Sequence, residues 1–241
     1  MTPLLEGRGL AMSYGDLRVL HNVDFAVAEG EAVGIVGPNG AGKTTLLNVL
    51  AGGVRPRAGT VSFQGRDVTR TRPDQRCRMG VGRAFQVPRP FGGMTVLENV
   101  VVAASYGAGL SGAAANKKAV DVLDECGLTE LANRRAESLG LLHRKRLELA
   151  RCLATGPRVV LLDEIGAGLT DAEAAELVAA VRQIKLGNTA IVWIEHIVHV
   201  LVQVVDRLVC MDTGRVIADG EPAKVLGDAV VIDAYLGKAA S

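Results

Sequence analysis

Ala32-Val33-Gly34-Ile35-Val36 runs into Gly37-Pro38-Asn39-Gly40-Ala41-Gly42-Lys43-Thr44, and Thr45-Leu46-Leu47 follows. The apolar run reads as a buried strand, the octet fits G-x-x-x-x-G-K-[ST], and a helix is expected to open near Gly42, which is the context the motif needs. Glycines let backbone N–H groups turn inward around phosphate oxygens, and the helix N-terminus adds the positive end of its dipole. Lys43 is then expected on the β and γ phosphates, Thr44 on Mg²⁺ and Thr45 on the α-phosphate. ATP and Mg²⁺ are the expected cofactors.

A second segment supplies what phosphoryl transfer to water still lacks. The apolar run Val159-Val160-Leu161-Leu162 ends in Asp163-Glu164, so two carboxylates stand at the carboxyl end of a buried strand, where open α/β sheets bind ligands. Asp163 is the expected metal carboxylate and Glu164 the expected base for the attacking water; a salt-bridged structural pair is the competing explanation.

Outward from these two points the chain alternates strands and helices. Short β-like runs fill Leu10 to Val36, Thr60 to Gln64 and Val81 to Gln86 read as strands, and Pro73 to Met79 as a short helix. Pro88-Arg89-Pro90 breaks the pattern, after which Thr95 to Ser105, Asn116 to Cys126 and Leu142 to Leu153 read as helices. Alternation then resumes with helices over Asp171 to Lys185 and Ile197 to Val205, and strands over Thr189 to Ile194, Arg207 to Met211 and Arg215 to Ala218. The expected fold is α/β: a P-loop NTPase core of mainly parallel sheet, an antiparallel β subdomain and an inserted helical subdomain. The single domain 1–241 divides into a core at 1–87 and 156–241 and a helical lobe at 88–155.

Composition narrows the function classes. With 241 residues, 49% apolar and 22% charged, and a formal net charge of +1, the chain has neither the profile of a disordered protein nor the basic surface of a nucleic-acid binder. Val100 to Ala115 is interrupted by Ser105, Tyr106, Gly107, Gly109, Ser111 and Gly112, a poor match to a spanning helix of about 20 apolar residues. No secretory pattern follows Met1, so a cytosolic location is expected. Cys77, Cys126, Cys152 and Cys210 lack paired spacing and read as small buried hydrophobes.

With both motifs placed, the chain resembles the ATP-binding-cassette (ABC) ATPases along essentially its whole length, and the resemblance assigns further roles. It puts Tyr14 on the adenine, Gln86 between Mg²⁺, water and a membrane subunit, and His196 on the γ-phosphate. It makes Glu164, His196, Gln86 and Lys43 the catalytic set, Thr44, Gln86 and Asp163 the metal set, and Tyr14 with Gly37 through Thr45 the nucleotide-binding set. A His196/His199 metal pair lacks a third ligand. Gly82-Arg83-Ala84-Phe85-Gln86 with Met94 to Asn99, Ile194-Glu195-His196, and the tail Ile232 to Gly237 are similar to ATPases of branched-chain amino acid importers of the LivG type. That likeness implies membrane permease subunits, a second ABC ATPase subunit (an identical or a different chain), an external solute-binding protein acting indirectly, and a peripheral place on the cytoplasmic face of the inner membrane. No nucleic-acid partner is expected.

The family signature, of Leu-Ser-x-Gly-Gln type, falls in register on Leu139-Gly140-Leu141-Leu142-His143, where its serine and second glycine are missing. Gly140 keeps a backbone N–H to offer, and Ser138 reaches the same place if the helix begins earlier. The near match Leu110-Ser111-Gly112 reads as loop and Arg144-Lys145-Arg146 as a solvated charged face, with a contact to the facing nucleotide as the alternative. Ile165 stands where Pro often follows the acid pair, and Thr170 where Asp or Asn is usual. A lipopolysaccharide-exporter ATPase, a soluble cassette of translation or DNA repair, and a nucleotide sensor with little hydrolysis are the competing functions.

Overall fold

The computed structural model describes residues 3–236; Gly237, at the end of the tail segment singled out above, lies outside them. β1 (Leu5–Tyr14) and β2 (Leu17–Val27) form a hairpin with Tyr14 opposite Leu17. The strands are longer than the short runs expected, and β1 begins five residues before Leu10. Its alternation is masked by register shifts between Gly7 and Leu10 and again at Met12, which is why the pattern breaks up in sequence. β3 (Ala32–Val36) leads into α1 (Lys43–Ala51); β4 (Ala58–Phe63), the two-residue β5 (Arg66–Asp67), α2 (Pro73–Met79) and β6 (Val81–Ala84) follow.

The helical segment contains α3 (Val96–Tyr106), α4 (Gly112–Glu125) and α5 (Leu141–Ala154). α4 starts four residues earlier than expected because Ala113, Ala114 and Ala115 are strong helix formers. Its N-cap is Ser111, so Leu110 and Ser111 lie in the loop, as expected, and Gly112 is the first residue of the helix. Then come β7 (Val159–Asp163), α6 (Asp171–Leu186), β8 (Ala190–Ile194), α7 (Val198–Leu201), β9 (Arg207–Asp212), β10 (Arg215–Gly220), α8 (Pro222–Leu226) and α9 (Ala229–Leu236). α7 is half the expected length: six of the nine residues from Ile197 to Val205 are β-branched, which weakens the helix against turns.

Two sheets result. One is antiparallel in the order β2-β1-β4-β5; the other has the order β10-β9-β3-β8-β7-β6 and is parallel except for β10. The parallel sheet is buried on both faces. Val33, Ile35, Leu161 and Val192 face α1 and the antiparallel sheet, whereas Val36, Leu162, Trp193 and Leu208 face the helices of the opposite layer. Full burial explains the unbroken apolar runs of β3, β7 and β8. α6 buries Ala174, Leu177, Val178, Val181 and Ile184 and opens on a capping box between Thr170 and Glu173. All four cysteines are free thiols; three are buried, whereas Cys77 is half-buried.

Candidate functional site

β3, β6, β7 and β8 run in the same direction, so their carboxyl ends open on one edge of the sheet. That edge gathers the Gly-rich loop after β3, Gln86 beyond β6, Asp163-Glu164 at the end of β7 and Glu195-His196 after β8. The α1 N-cap is Gly42 at φ +97°, with no side chain capping the helix, and its first backbone N–H groups are left for an anion. Lys43 is nearly buried; its Nζ donates to the Gly37 and Pro38 carbonyls at 2.7 and 3.0 Å, which curls the side chain back over the loop. A cavity of about 220 Å³ is lined by Asn39, Gly40, Ala41, Gly42, Lys43, Thr44 and Thr45, with Val19 and Glu164 at its sides. Tyr14 is 47% exposed at the end of β1 and is not among these lining residues.

The two carboxylates of the acid pair occupy different surroundings. Asp163 is buried: the Thr44 hydroxyl donates to its Oδ1 at 3.3 Å and Arg83 Nη2 to its Oδ2 at 3.0 Å. Burial raises its pKa above the usual range, opposed chiefly by the Arg83 charge. Glu164 is held in the left-handed region at φ +47°, a conformation costing about 1 kcal/mol or more for a residue with a Cβ. Its Oε1 lies 2.8 Å from His196 Nε2, and Gln86 Nε2 donates to its Oε2 at 2.7 Å. The geometry therefore groups the side chains of Glu164, His196 and Gln86 at the mouth of the phosphate loop, with Thr44 and Asp163 as an adjacent oxygen pair.

At the signature register, α5 starts at Leu141 with Gly140 as N-cap at φ −68° and ψ 171°. Gly140, not Ser138, holds the capping position; the Ser138 hydroxyl donates to the Arg135 carbonyl at 2.8 Å. Leu141 is exposed and Leu142 buried, while His143 is half-buried. The run Arg144-Lys145-Arg146 is not a solvated face. Lys145 is 3% exposed, with Nζ donating to the Gln86 carbonyl at 3.3 Å, and Arg146 pairs with Glu176 of α6 at 2.5 Å. The reason is helical spacing: Lys145 lies three residues after buried Leu142 and four before buried Leu149, on the stripe that α5 turns inward.

The family model for ABC transporters matches residues 20–167. The chain is an ABC-family ATPase. A second model, described as branched-chain amino acid ATP-binding cassette transporter, matches residues 215–241. The high-affinity branched-chain amino acid transport ATP-binding protein LivG of Salmonella typhimurium is 38% identical, over 98% of this chain and 99% of its own. BraF of Pseudomonas aeruginosa, with the same description, is 37% identical over the same shares, and the lipopolysaccharide export system ATP-binding protein LptB of Acidithiobacillus ferridurans is 34% identical over 98% of each. The crystal structure of the ADP conformation of MJ1267, an ATP-binding cassette of an ABC transporter, superposes with a TM-score of 0.88 at 30% identity, over 98% of this chain and all of that one. As an ABC transporter ATPase this cassette uses ATP and works with membrane permease components as a dimer. No helix among the described residues is long and apolar enough to cross a membrane.

Four charged residues around the cassette site had no role assigned from sequence. Arg83 spans it, bonding Asn48 Oδ1 at 2.6 Å, Asp163 at 3.0 Å and stacking over the Phe85 ring at 4.6 Å. Arg76 of α2 is fully buried and caps the far end of α1, donating to the Val49 and Leu50 carbonyls at 2.9 and 2.7 Å; burial lowers its pKa to about 10. Lys145 carried a signal, its place on an apolar stripe. Glu195, buried beside His196, carried a weaker one in following directly on the apolar run Ala190 to Ile194.

Proposed function

We propose that this ATPase is the energising subunit of an importer for branched-chain or related amino acids, seated peripherally on the cytoplasmic face of the inner membrane. The observation that carries the catalytic part is Glu164, held by His196 and Gln86 at the mouth of the phosphate loop. In this reading Lys43 and the loop N–H groups bind the β and γ phosphates and Thr45 the α-phosphate, while Tyr14 stacks on adenine. Glu164 accepts a proton from water as the water oxygen attacks the γ-phosphorus; the bond to the bridging oxygen breaks, leaving ADP and phosphate. His196 holds the γ-phosphate and orients Glu164. Thr44 and Asp163 are hard oxygen donors side by side, a set that suits Mg²⁺, with Gln86 completing it through water. Bound there, Mg²⁺ supplies charge neutralisation of the phosphates.

The amino-acid branch rests on the LivG and BraF relatives and on the match over the tail. The helical lobe, taken as 88–155, offers the permease a groove of about 420 Å³ beside Gln86, where Phe85 and Val87 are exposed near Arg89, Glu148 and Arg151. Two cassettes closing on ATP and reopening after hydrolysis would drive the permease through that contact. Because Gly140 stands where the partner-facing serine belongs, we infer that this subunit pairs with a different cassette. Its own site is complete with the partner's signature, and the partner's site is the weaker one.

Purification of the tagged subunit from solubilised host membranes tests the transport reading. Two hydrophobic permeases with a second cassette and a solute-binding protein are expected; lipopolysaccharide-export components would move the assignment to that class, and recovery alone would refute both. In the purified assembly, Glu164→Gln is expected to lower ATP turnover by about 10²- to 10³-fold while ATP still binds; unchanged turnover would remove Glu164 from the mechanism.

A further inference from the structure

Glu195 is 2% exposed, and its carboxylate faces inward between two segments of the site. Oε1 accepts from the Gly166 N–H at 2.6 Å and Oε2 from the N–H of His196 at 3.2 Å. Gly166 lies in the turn that begins at Glu164, and the same turn is fastened at its entry, where the Glu164 N–H donates to the Ile194 carbonyl at 2.9 Å. It closes on itself through Ala167 N–H to Glu164 O at 3.1 Å. A Cβ at position 166 would stand 2.8 Å from Glu195 Oε1, so glycine there is what lets the backbone approach the carboxylate. Inside this frame Glu164 keeps its left-handed φ of +47°, a conformation that persists only when the surroundings over-determine it.

We propose that Glu195 is a positioning residue that fastens the Glu164 turn to the strand end carrying His196, so that the base and the γ-phosphate histidine move as one body. One carboxylate thus bridges two backbone N–H groups, each within two residues of a side chain at the site, and the Glu164–His196 contact at 2.8 Å closes the ring. A buried carboxylate is costly to hold without partners; burial raises its pKa, opposed by these two N–H groups and then by the Trp193 side chain. Lys145 brings a cation to the same region from α5: burial lowers its pKa, and the charges of Glu195 and then Glu164 oppose that. The ring is therefore in electrostatic contact with the signature helix of its own chain.

The proposal rests on ATP hydrolysis by this subunit, so the wild-type turnover of the assembled transporter, measured alongside, separates failure of that reading from failure of this one. Glu195→Ala is expected to lower kcat by about 10- to 100-fold, the scale of a misplacement of about 1 Å, with KM for ATP and the affinity for a non-hydrolysable ATP analogue within about 2-fold of wild type. The isosteric Glu195→Gln, which keeps one acceptor, falls between. On the Glu164→Gln background, phosphate release followed over hours is expected to be no slower with Glu195→Ala than without it, because the residue acts through Glu164. A wild-type kcat in both Glu195 variants would overturn the proposal. So would an equal loss on the Glu164→Gln background with ATP affinity falling in step, since that is the signature of a merely structural acid. If Glu195→Ala does not fold, Glu195→Gln alone decides by the same split of kcat from KM.

Discussion

The N-termini of α1 and α5, the two that the proposed function sets against phosphate, are built differently. Gly42 caps α1 in a left-handed conformation, and a Cβ there would stand 2.9 Å from the Val19 carbonyl; at Gly37 it would stand 2.0 Å from the Met211 carbonyl. Gly140 caps α5 with extended backbone open to any residue, and a Cβ there meets nothing within 4 Å. The glycines at α1 are demanded by the packing behind them. The glycine at α5 is demanded by nothing in this chain. The missing signature serine is thus a loss of a group and not a requirement of the fold, and one end of the molecule is committed to its ligand where the other is free to vary.

The sharpest break of this contrast is at Lys43. If the committed end carries the turnover, Lys43→Ala in this subunit should lower ATP hydrolysis of the assembled transporter by about 100-fold, whereas the matching change in the partner cassette should cost only a few-fold. Equal losses would make the two sites equivalent and remove the inequality. Next is the glycine pair: Gly42→Ala is expected to weaken ATP binding by about 10-fold or more and to lower the melting temperature, because it strains a left-handed residue into a backbone contact. Gly140→Ala should change ATP binding at this chain's loop by less than about 2-fold. Calorimetric titration with ATP on both variants checks the pair, and comparable losses would collapse the distinction.

A smaller effect, opposite in sign, comes from restoring the serine. Gly140→Ser meets open space and an allowed backbone, so it should stabilise α5 by a few tenths of a kcal/mol at about the level of an N-cap exchange. In the assembled transporter it should also raise turnover at the partner's site, read as residual hydrolysis on the Lys43→Ala background; no gain there would mean that backbone N–H groups already suffice. The smallest change in turnover is expected at Thr170, whose hydroxyl accepts from the Glu173 N–H at 3.4 Å as the Glu173 carboxylate accepts from the Thr170 N–H at 2.9 Å. Thr170→Ala should cost about 1 kcal/mol in chemical denaturation and leave turnover unchanged, which would make it a helix cap and not a dimer-facing ligand.

What could be seen in the sequence follows from how local each constraint is. The phosphate loop and the acid pair are contiguous stretches whose residue types are fixed by the backbone they sit on, and the sheet could be placed around them because β3, β7 and β8 are buried on both faces and read as continuous apolar runs. Gln86 and His196 needed a family resemblance, since nothing local separates them from surface residues. The buried charges were the hardest. Arg76, Lys145 and Glu195 look solvated in a linear reading because their partners are backbone carbonyls and amides far along the chain. Lys145 left the clearer trace, in its spacing from Leu142 and Leu149, and Glu195 a weaker one in following the apolar run Ala190 to Ile194.

Arg76 bears on how the machine can move. Its guanidinium holds the Val49 and Leu50 carbonyls at the tail of α1, and its Nη2 also donates to the Val68 carbonyl at 2.6 Å, while Lys43 ties the head of the same helix to the Gly37 and Pro38 carbonyls. The Arg76 grip on its tail does not depend on the phosphate loop, so α1 stays anchored there when Lys43 turns to phosphate. In the proposed mechanism it is the fixed jaw of a vice, and the travel that grips the nucleotide falls to the signature helix of the partner cassette.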